Sequence, residues 1–190
     1  MLSNLQIPQR LYHSILMLLL SPICYGQTAQ LTFHKYQNNF EDSVLNIKWM
    51  NPHTITREDS NGNHYSRTNV SNPYSSGIEM EIPADLKKKN FKISVSGSIR
   101  VTDLLANNQL VVSVARDDSA IFWIGQHLPD SSGKIMQWNQ FNFSCLIPRN
   151  MPGNSKIKIF VWNADGKSIT DFDNADISFT EIELPSSLPQ

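Results

Sequence analysis

Two carboxylates near the end of the chain are the residues best placed to do chemistry. Asp171 and Asp173 share the every-second-residue alternation of Ile177 and Phe179, which predicts that they lie on the inward face of a β-strand. A buried charge without a partner is costly, so the pattern predicts a partner such as a cation. The alternative is a β-bulge at Asp173-Asn174, which would turn both carboxylates to solvent.

A tryptophan on the preceding strand is the leading candidate for binding a sugar. Residues 156–162 alternate, with apolar β-branched side chains on one face and Trp162 on the other, and Asn163 follows. An indole ring can pack against the C–H face of a pyranose while amides bond its hydroxyl groups. Trp162 and Asn163 are therefore candidate ligand-binding residues. The alternative is that a second layer covers this face, so that Trp162 only fills space.

Three further aromatic residues are candidates for the same role. Trp123 lies in a segment that is apolar on both faces, which is typical of a core strand, but the polar pair Gln126-His127 follows at the strand end. Tyr65 and Tyr74 belong to a polar stretch, residues 61–74. This stretch would form one lip of a binding site or, alternatively, a solvated loop.

Recognisable catalytic motifs are missing from the sequence. The histidines show no H-x-x-x-H spacing, so zinc chemistry is unsupported. Neither a G-x-S-x-G elbow nor a phosphate-binding glycine loop occurs. A glycosidase would need two carboxylates that face each other across a cleft, which a sequence does not reveal. We therefore expect a protein that is not an enzyme.

The composition and the N-terminus limit the partners and the location. The chain has 190 residues, a net charge of -1 and 17% charged residues, so no basic surface for nucleic acid is expected. Arg10 and His13 precede the apolar run 15–20, which predicts a signal peptide over residues 1–26 with cleavage after Gly26. The run is too short to span a bilayer. We expect a secreted, periplasmic or cell-envelope protein; a lipidated Cys24 is disfavoured because the residues before it are not small.

Residues 27–190 are expected to form one domain. Strand-like segments recur at intervals of roughly 8–15 residues with almost no helical periodicity, which predicts an all-β antiparallel sandwich of jelly-roll type. Asp165-Gly166 predicts a tight turn that would join the last two strands as a hairpin. Cys145 lies in an apolar alternating segment, so it is expected to be a buried structural thiol.

Three segments occur in an order that resembles a known class of sugar-binding domains. They are Asn39-Phe40-Glu41 followed by Trp49, a strand that runs from Trp138 to Pro148, and the closing segment Phe172–Ile177. Together they resemble the jelly-roll carbohydrate-binding modules of the galactose-binding-domain-like class, especially those of secreted bacterial proteins. The resemblance covers nearly all of residues 27–190 and implies that Trp49 and Trp138 are structural core residues.

The same resemblance implies a structural calcium ion. Matched to the class by position, Glu41 and Asp173 would be the side-chain ligands, with backbone carbonyls completing the coordination shell. Calcium prefers six to eight oxygen ligands, and it would neutralise a carboxylate that lies on an inward face.

Two hypotheses from different classes follow, with an enzyme as a third. The first is a non-catalytic module that binds a glycan or polysaccharide, with the structural calcium. The alternative is an envelope or surface sandwich that docks or adheres to another protein. A jelly-roll polysaccharide lyase or glycosidase is the second alternative, although the Gln-Ile/Val-His triplet of such lyases does not occur. Neither the glycan nor the oligomeric state follows from the sequence.

Overall fold

The protein is built almost entirely from strands. The computed structural model describes residues 32–57, 62–117, 119–129 and 133–182, and the predicted signal peptide lies outside these ranges. The described chain has a short helix α1 (Ser43–Asn46), a 3-10 turn (Pro52–Thr54) and the strands β1 (Thr32–Asn38), β2 (Ile55–Arg57), β3 (His64–Thr68), β4 (Ile78–Glu81), β5 (Phe91–Val101), β6 (Asn108–Arg116), β7 (Ser119–His127), β8 (Asn139–Ile147), β9 (Lys156–Asn163) and β10 (Thr170–Glu181). No helix in these ranges is long and apolar enough to cross a bilayer.

The strands form two antiparallel sheets that pack face to face. The larger sheet has the order β2-β3-β10-β5-β8, with β1 pairing with the second half of β10, and the smaller sheet has the order β4-β9-β6-β7. Strands at matching positions of the two sheets are consecutive in the chain: β3 and β4, β5 and β6, β7 and β8, β9 and β10. This connectivity is that of a jelly roll, and the predicted all-β sandwich is confirmed.

The core fills the space between the sheets with the inward-facing residues of alternating strands. Val95 and Ile99 of β5 and Leu110 and Val112 of β6 are fully buried. Trp49 is also buried in this core, as expected, and meets the Phe40 ring edge-on at 5.9 Å. Each sheet therefore has one buried face and one outer face on which a site can be built.

The last two strands do not form the predicted hairpin. β9 pairs with β4 and β6 in the smaller sheet, whereas β10 pairs with β1, β3 and β5 in the larger sheet. The predicted turn is present, and Gly166 adopts φ 64°, a conformation that glycine adopts without steric cost. This turn carries the chain from β9 in the smaller sheet to β10 in the larger one.

A β-bulge in β10 decides which face its aspartates occupy. The register with β5 is interrupted between Asp173 and Asp176, and Asn174 adopts φ 53°. The interruption reverses the alternation, so Asp171 and Asp173 lie on the outer face of the larger sheet while Ile177 points into the core. The prediction that they face inward is wrong. They are not turned to solvent either, since they are only 3% and 4% exposed.

Cys145 is a buried free thiol within the described chain, as expected. Burial raises its pKa to about 11, so the thiol stays protonated at neutral pH. The side chain therefore acts as a small apolar group of the core.

Candidate functional site

Asp171 and two arginines form an ion cluster on the outer face of the larger sheet. β10 lies between β3 and β5, so Asp171 has Arg67 on one side and Arg100 on the other. Arg67 Nε donates to Asp171 Oδ1 over 2.7 Å, and Arg100 Nε donates to Oδ2 over 3.0 Å. The Asp171 side chain is only 5% exposed. The two guanidinium groups thus supply the partner that a buried carboxylate needs.

Two aromatic rings complete this ion cluster. The guanidinium carbon of Arg100 lies 5.1 Å from the Tyr65 ring centroid and 4.7 Å from the Trp138 ring, which is cation–π range. Tyr65 is buried, and its hydroxyl accepts a hydrogen bond from Arg67 Nη2. Trp138 is half-buried on the outer face, so the expectation of a core position is wrong. A cavity of about 320 Å³ lies beside Trp138 and Gln140.

Asp173 lies on the same face but has different partners. Asn174 N donates to its Oδ1 over 2.6 Å, and Asn63 Nδ2 donates to its Oδ2 over 3.3 Å. Burial raises the pKa of Asp173; the two asparagine donors oppose this rise, and the negative charge of Glu41 adds to it. Of the two carboxylates that were expected to hold calcium, Asp173 is bonded by Asn63 and Glu41 by the next residue, His64.

The Glu41 carboxylate is held by His64. His64 N donates to Glu41 Oε1 over 2.7 Å, and His64 Nδ1 lies 2.7 Å from Oε2. These hydrogen bonds lower the pKa of Glu41. Among the described residues no group of three or more His, Cys, Asp or Glu side chains is arranged to hold a metal ion. A cation here would need backbone, amide or water oxygens besides Glu41 and Asp173, and that oxygen chemistry is what calcium prefers.

The outer face of the smaller sheet carries stacked aromatic rings. Tyr74 forms an isolated β-bridge with Trp162 of β9, and their rings stack with centroids 6.3 Å apart and planes at 21°. Phe160 supports the pair by meeting the Tyr74 ring edge-on at 5.6 Å. Tyr74 is 46% exposed, so part of this stack is open to a ligand.

Trp123 lies on the same face, and its indole ring packs over a glycine of the same strand. It belongs to β7, and its side chain is 50% exposed. A Cβ at Gly125 would come within 2.6 Å of Trp123 Cη2 and would also collide with Gln109 Oε1. The indole therefore extends over a position where the strand has no side chain, which holds the ring close to the sheet.

Polar groups lie between these rings. Gln109 of β6 is the cross-strand neighbour of Trp162, and its Nε2 donates to Asn107 Oδ1 over 2.7 Å. Trp123 and Trp162 are separated by two strand spacings and four residues along the strand, which places their Cα atoms about 16 Å apart. We call Tyr74, Trp123, Trp162 and Gln109 together the aromatic surface.

The structure separates the predicted ligand-binding residues into three groups. Trp162, Trp123 and Tyr74 share the aromatic surface. Asn163 does not, because it faces the interior, is 1% exposed and donates from Nδ2 to Ser168 O over 2.7 Å. Tyr65 lies on the opposite outer face, so Tyr65 and Tyr74 do not form one lip.

Sequence reasoning did not identify the ion cluster on one face or the Gln109 and Gly125 positions on the other. Arg67 lies in the polar stretch 61–74 and Arg100 is an outward-facing residue of the largely apolar strand β5, but their shared partner Asp171 is distant in sequence. Gln109 and Gly125 were missed because neither is aromatic. The order Trp123-Ile124-Gly125 was the available signal, because a glycine two residues after a tryptophan leaves room for the indole to pack against the strand.

Comparisons with known proteins found similar solved structures but no matching sequence family. No protein-family model matches the chain, and no curated protein sequence is significantly similar to it. One similar solved structure is a cyclase from Fischerella sp. TAU in complex with 4-(1H-indol-3-yl)butan-2-one, with a TM-score of 0.41 and 15% identity over 69% of this chain and 71% of that chain.

Two further similar structures contain carbohydrate-binding modules. One is a module with specific mannan recognition, with a TM-score of 0.40 and 10% identity over 80% of this chain and 99% of that chain. The other is a module pair of a Clostridium thermocellum endo-1,4-β-D-xylanase complexed with xylohexaose, with a TM-score of 0.36 and 14% identity over 85% of this chain and 27% of that chain. The jelly-roll assignment itself comes from the strand order of the two sheets.

Proposed function

We propose that the protein is a secreted or periplasmic, non-catalytic module that binds a glycan or polysaccharide through the aromatic surface. The observation that carries the proposal is the half-exposed Trp123 indole, seated over Gly125 on the same face as the stacked Tyr74 and Trp162 rings. Fixed rings suit a sugar because they offer flat apolar area at little cost in side-chain entropy.

The spacing and polarity of the aromatic surface suit an extended ligand. Rings whose backbones lie about 16 Å apart would contact different sugar units of one chain rather than a single monosaccharide. The Gln109 amide lies between them and is oriented by Asn107. Amides of this kind bond sugar hydroxyls, so orientation and specificity would come from Gln109 and affinity from the rings.

A structural calcium ion is the second part of the proposal. Asp173 is 4% exposed, its described hydrogen-bond donors are neutral, and Glu41 lies near enough to raise its pKa. A divalent cation between the two carboxylates would remove this repulsion. The ion would compete with His64 for Glu41, and it lies on the sheet opposite the aromatic surface. It would therefore affect stability more than glycan affinity.

The test is affinity gel electrophoresis of the chain against a panel of polysaccharides, with and without calcium. We expect at least one polysaccharide to retard the protein in both conditions. Trp123→Ala and Trp162→Ala should each weaken that retardation by roughly 30-fold in dissociation constant, as the loss of a central aromatic anchor does.

Trp138→Ala is the matched control, because it removes an indole from the other outer face. Binding should survive this substitution, and the melting temperature of each variant checks that it is folded. The proposal fails if no polysaccharide retards the wild-type protein. It also fails if Trp138→Ala abolishes binding while Trp123→Ala leaves it intact.

A further inference from the structure

One side of the sandwich ends in two uncharged strands. β7 is the last strand of the smaller sheet and β8 is the last strand of the larger one, and each has nine residues. Neither strand contains Asp, Glu, Lys or Arg. Because the two strands are consecutive and occupy matching positions of the two sheets, they lie on the same side of the sandwich.

The strands on the other side are protected as edge strands usually are. β2 has only three residues and includes Arg57. β4 carries Glu79, which pairs with Lys156 over 3.0 Å and with Lys158 over 3.2 Å. Charged side chains and short length are common means of preventing an edge from pairing with another chain. β7 has neither; its register with β6 shifts at Ile121, near its start, but residues 122–127 pair without interruption, and Ile121 and Trp123 are 43% and 50% exposed.

The pairing of β7 with β6 shows which backbone groups face the open edge. Leu128 N donates to Asn108 O over 2.9 Å, just beyond the end of the ladder. Antiparallel pairs alternate between hydrogen-bonded and non-hydrogen-bonded. The register between β7 and β6 is uninterrupted from His127 back to Phe122. Since Leu128 bonds to β6, every second residue before it does so too, and the N–H and C=O groups of Gln126, Ile124 and Phe122 point to β6. Those of Trp123 and Gly125 point outwards, away from the sheet.

We propose that β7 pairs antiparallel with β7 of a second copy of this chain, across a two-fold axis at Ile124. This register sets Trp123 of one copy opposite Gly125 of the other, twice, so that the two indoles, each lying over the Gly125 of its own copy, come side by side across the axis. The outward N–H and C=O groups of both residues then bond across the axis, and the two smaller sheets become one eight-stranded sheet.

A second copy of the chain can pair with this edge without bringing like charges together. A two-fold axis brings identical residues together, which is unfavourable for charged strands and harmless for one with no charged side chain. β8 is also uncharged, so the neighbouring edge adds no like-charge repulsion. A single strand pair buries less than the ~1,200 Å² of a standard interface, so the dimer is expected to be weak, with a dissociation constant of roughly micromolar or above.

Analytical ultracentrifugation of the full chain, without glycan, tests the pairing. Between about 1 µM and about 1 mM, the weight-average mass should rise from that of one chain towards that of two. Ile121→Lys should weaken the association roughly tenfold or more, because each copy brings a charge to the shared edge. Leu105→Lys makes the same change at a loop residue that is 92% exposed and lies outside the strands, and it should have no effect.

Hydrogen exchange on the wild-type protein tests the same contact without any substitution. The amides of Trp123 and Gly125 should gain protection as the concentration rises, whereas that of Ile124 should be protected throughout because it faces β6. The proposal is overturned by a mass that does not depend on concentration. An Ile121→Lys variant that is folded and associates like the wild type, or unchanged exchange at Trp123 and Gly125, would equally overturn it.

Discussion

Replacing Asp171 and Asp173 by Asn, one at a time, removes charge from two buried carboxylates that lie two residues apart. Asp171 is bonded by two arginines, whereas the described donors to Asp173 are neutral asparagines. Asp171→Asn leaves the guanidinium groups of Arg67 and Arg100 without their shared counter-ion. Breaking a buried ion pair costs ~3–5 kcal/mol, and we expect about 3 kcal/mol because the Arg67 side chain is 37% exposed and partly screened. For a domain of this size that loss corresponds to a melting temperature lower by about 6–12 °C.

Asp173→Asn should have the opposite effect when calcium is absent. The raised pKa of Asp173 means that the folded protein binds a proton there more tightly than the unfolded chain. The charged form therefore costs stability at neutral pH, and this cost disappears as the pH falls through the folded pKa towards the unfolded one. In EDTA at pH 7, the free energy of unfolding of Asp173→Asn should equal or exceed that of the wild type.

Urea unfolding of both variants and the wild type, in EDTA at pH 7, measures these differences directly. An equal loss of stability in Asp173→Asn and Asp171→Asn would contradict the different roles of the two carboxylates. The reasoning is also refuted if Asp171→Asn is as stable as the wild type, since the ion cluster would then not be the partner of the buried carboxylate.

Three further predictions follow from single sites. Calcium should raise the melting temperature of the wild type but not of Asp173→Asn, and an equal rise in both would contradict the proposed ion site. Gly125→Ala should cost about 1–3 kcal/mol and alter Trp123 fluorescence, because the new methyl group collides with the indole, whereas Gly153→Ala, with open space around it, should be neutral. Cys145 should react with a thiol reagent only as fast as the protein unfolds, which peptide mapping by mass spectrometry can follow, and fast labelling of the folded chain would contradict its burial.

The fold could be predicted from the sequence because alternation is a local signal. The inward-facing residues of β5 follow one another at every second position from Phe91 to Val101, and the structure buries all of them. The pairing of strands was harder to predict. β9 and β10 both alternate and are joined by a turn that suits a hairpin, yet they belong to different sheets. That choice depends on partners far away in sequence.

The candidate site was only partly predictable for the same reason. The outward position of Trp162 was predictable from the alternation of β9, and the same alternation places the next residue, Asn163, on the buried face. The inward prediction for Asp171 and Asp173 failed because one bulge reverses the alternation. Asn174, which tolerates positive φ, was the only local sign of that bulge.

The ion cluster was beyond the reach of the sequence because three separate strands assemble it. Arg67, Arg100 and Asp171 become neighbours only when β10 is inserted between β3 and β5. Until that topology is known, each of the three is an isolated charge on a strand.

The most direct test of the account is to observe the indole N–H resonances of the tryptophans while an oligosaccharide of the retarding polysaccharide is added. Glycan binding at the aromatic surface predicts that the resonances of Trp123 and Trp162 shift with the ligand, while those of Trp49, in the core, and Trp138, on the opposite face, do not. A shift confined to Trp138, or no shift in any indole while the ligand is bound, would contradict the account.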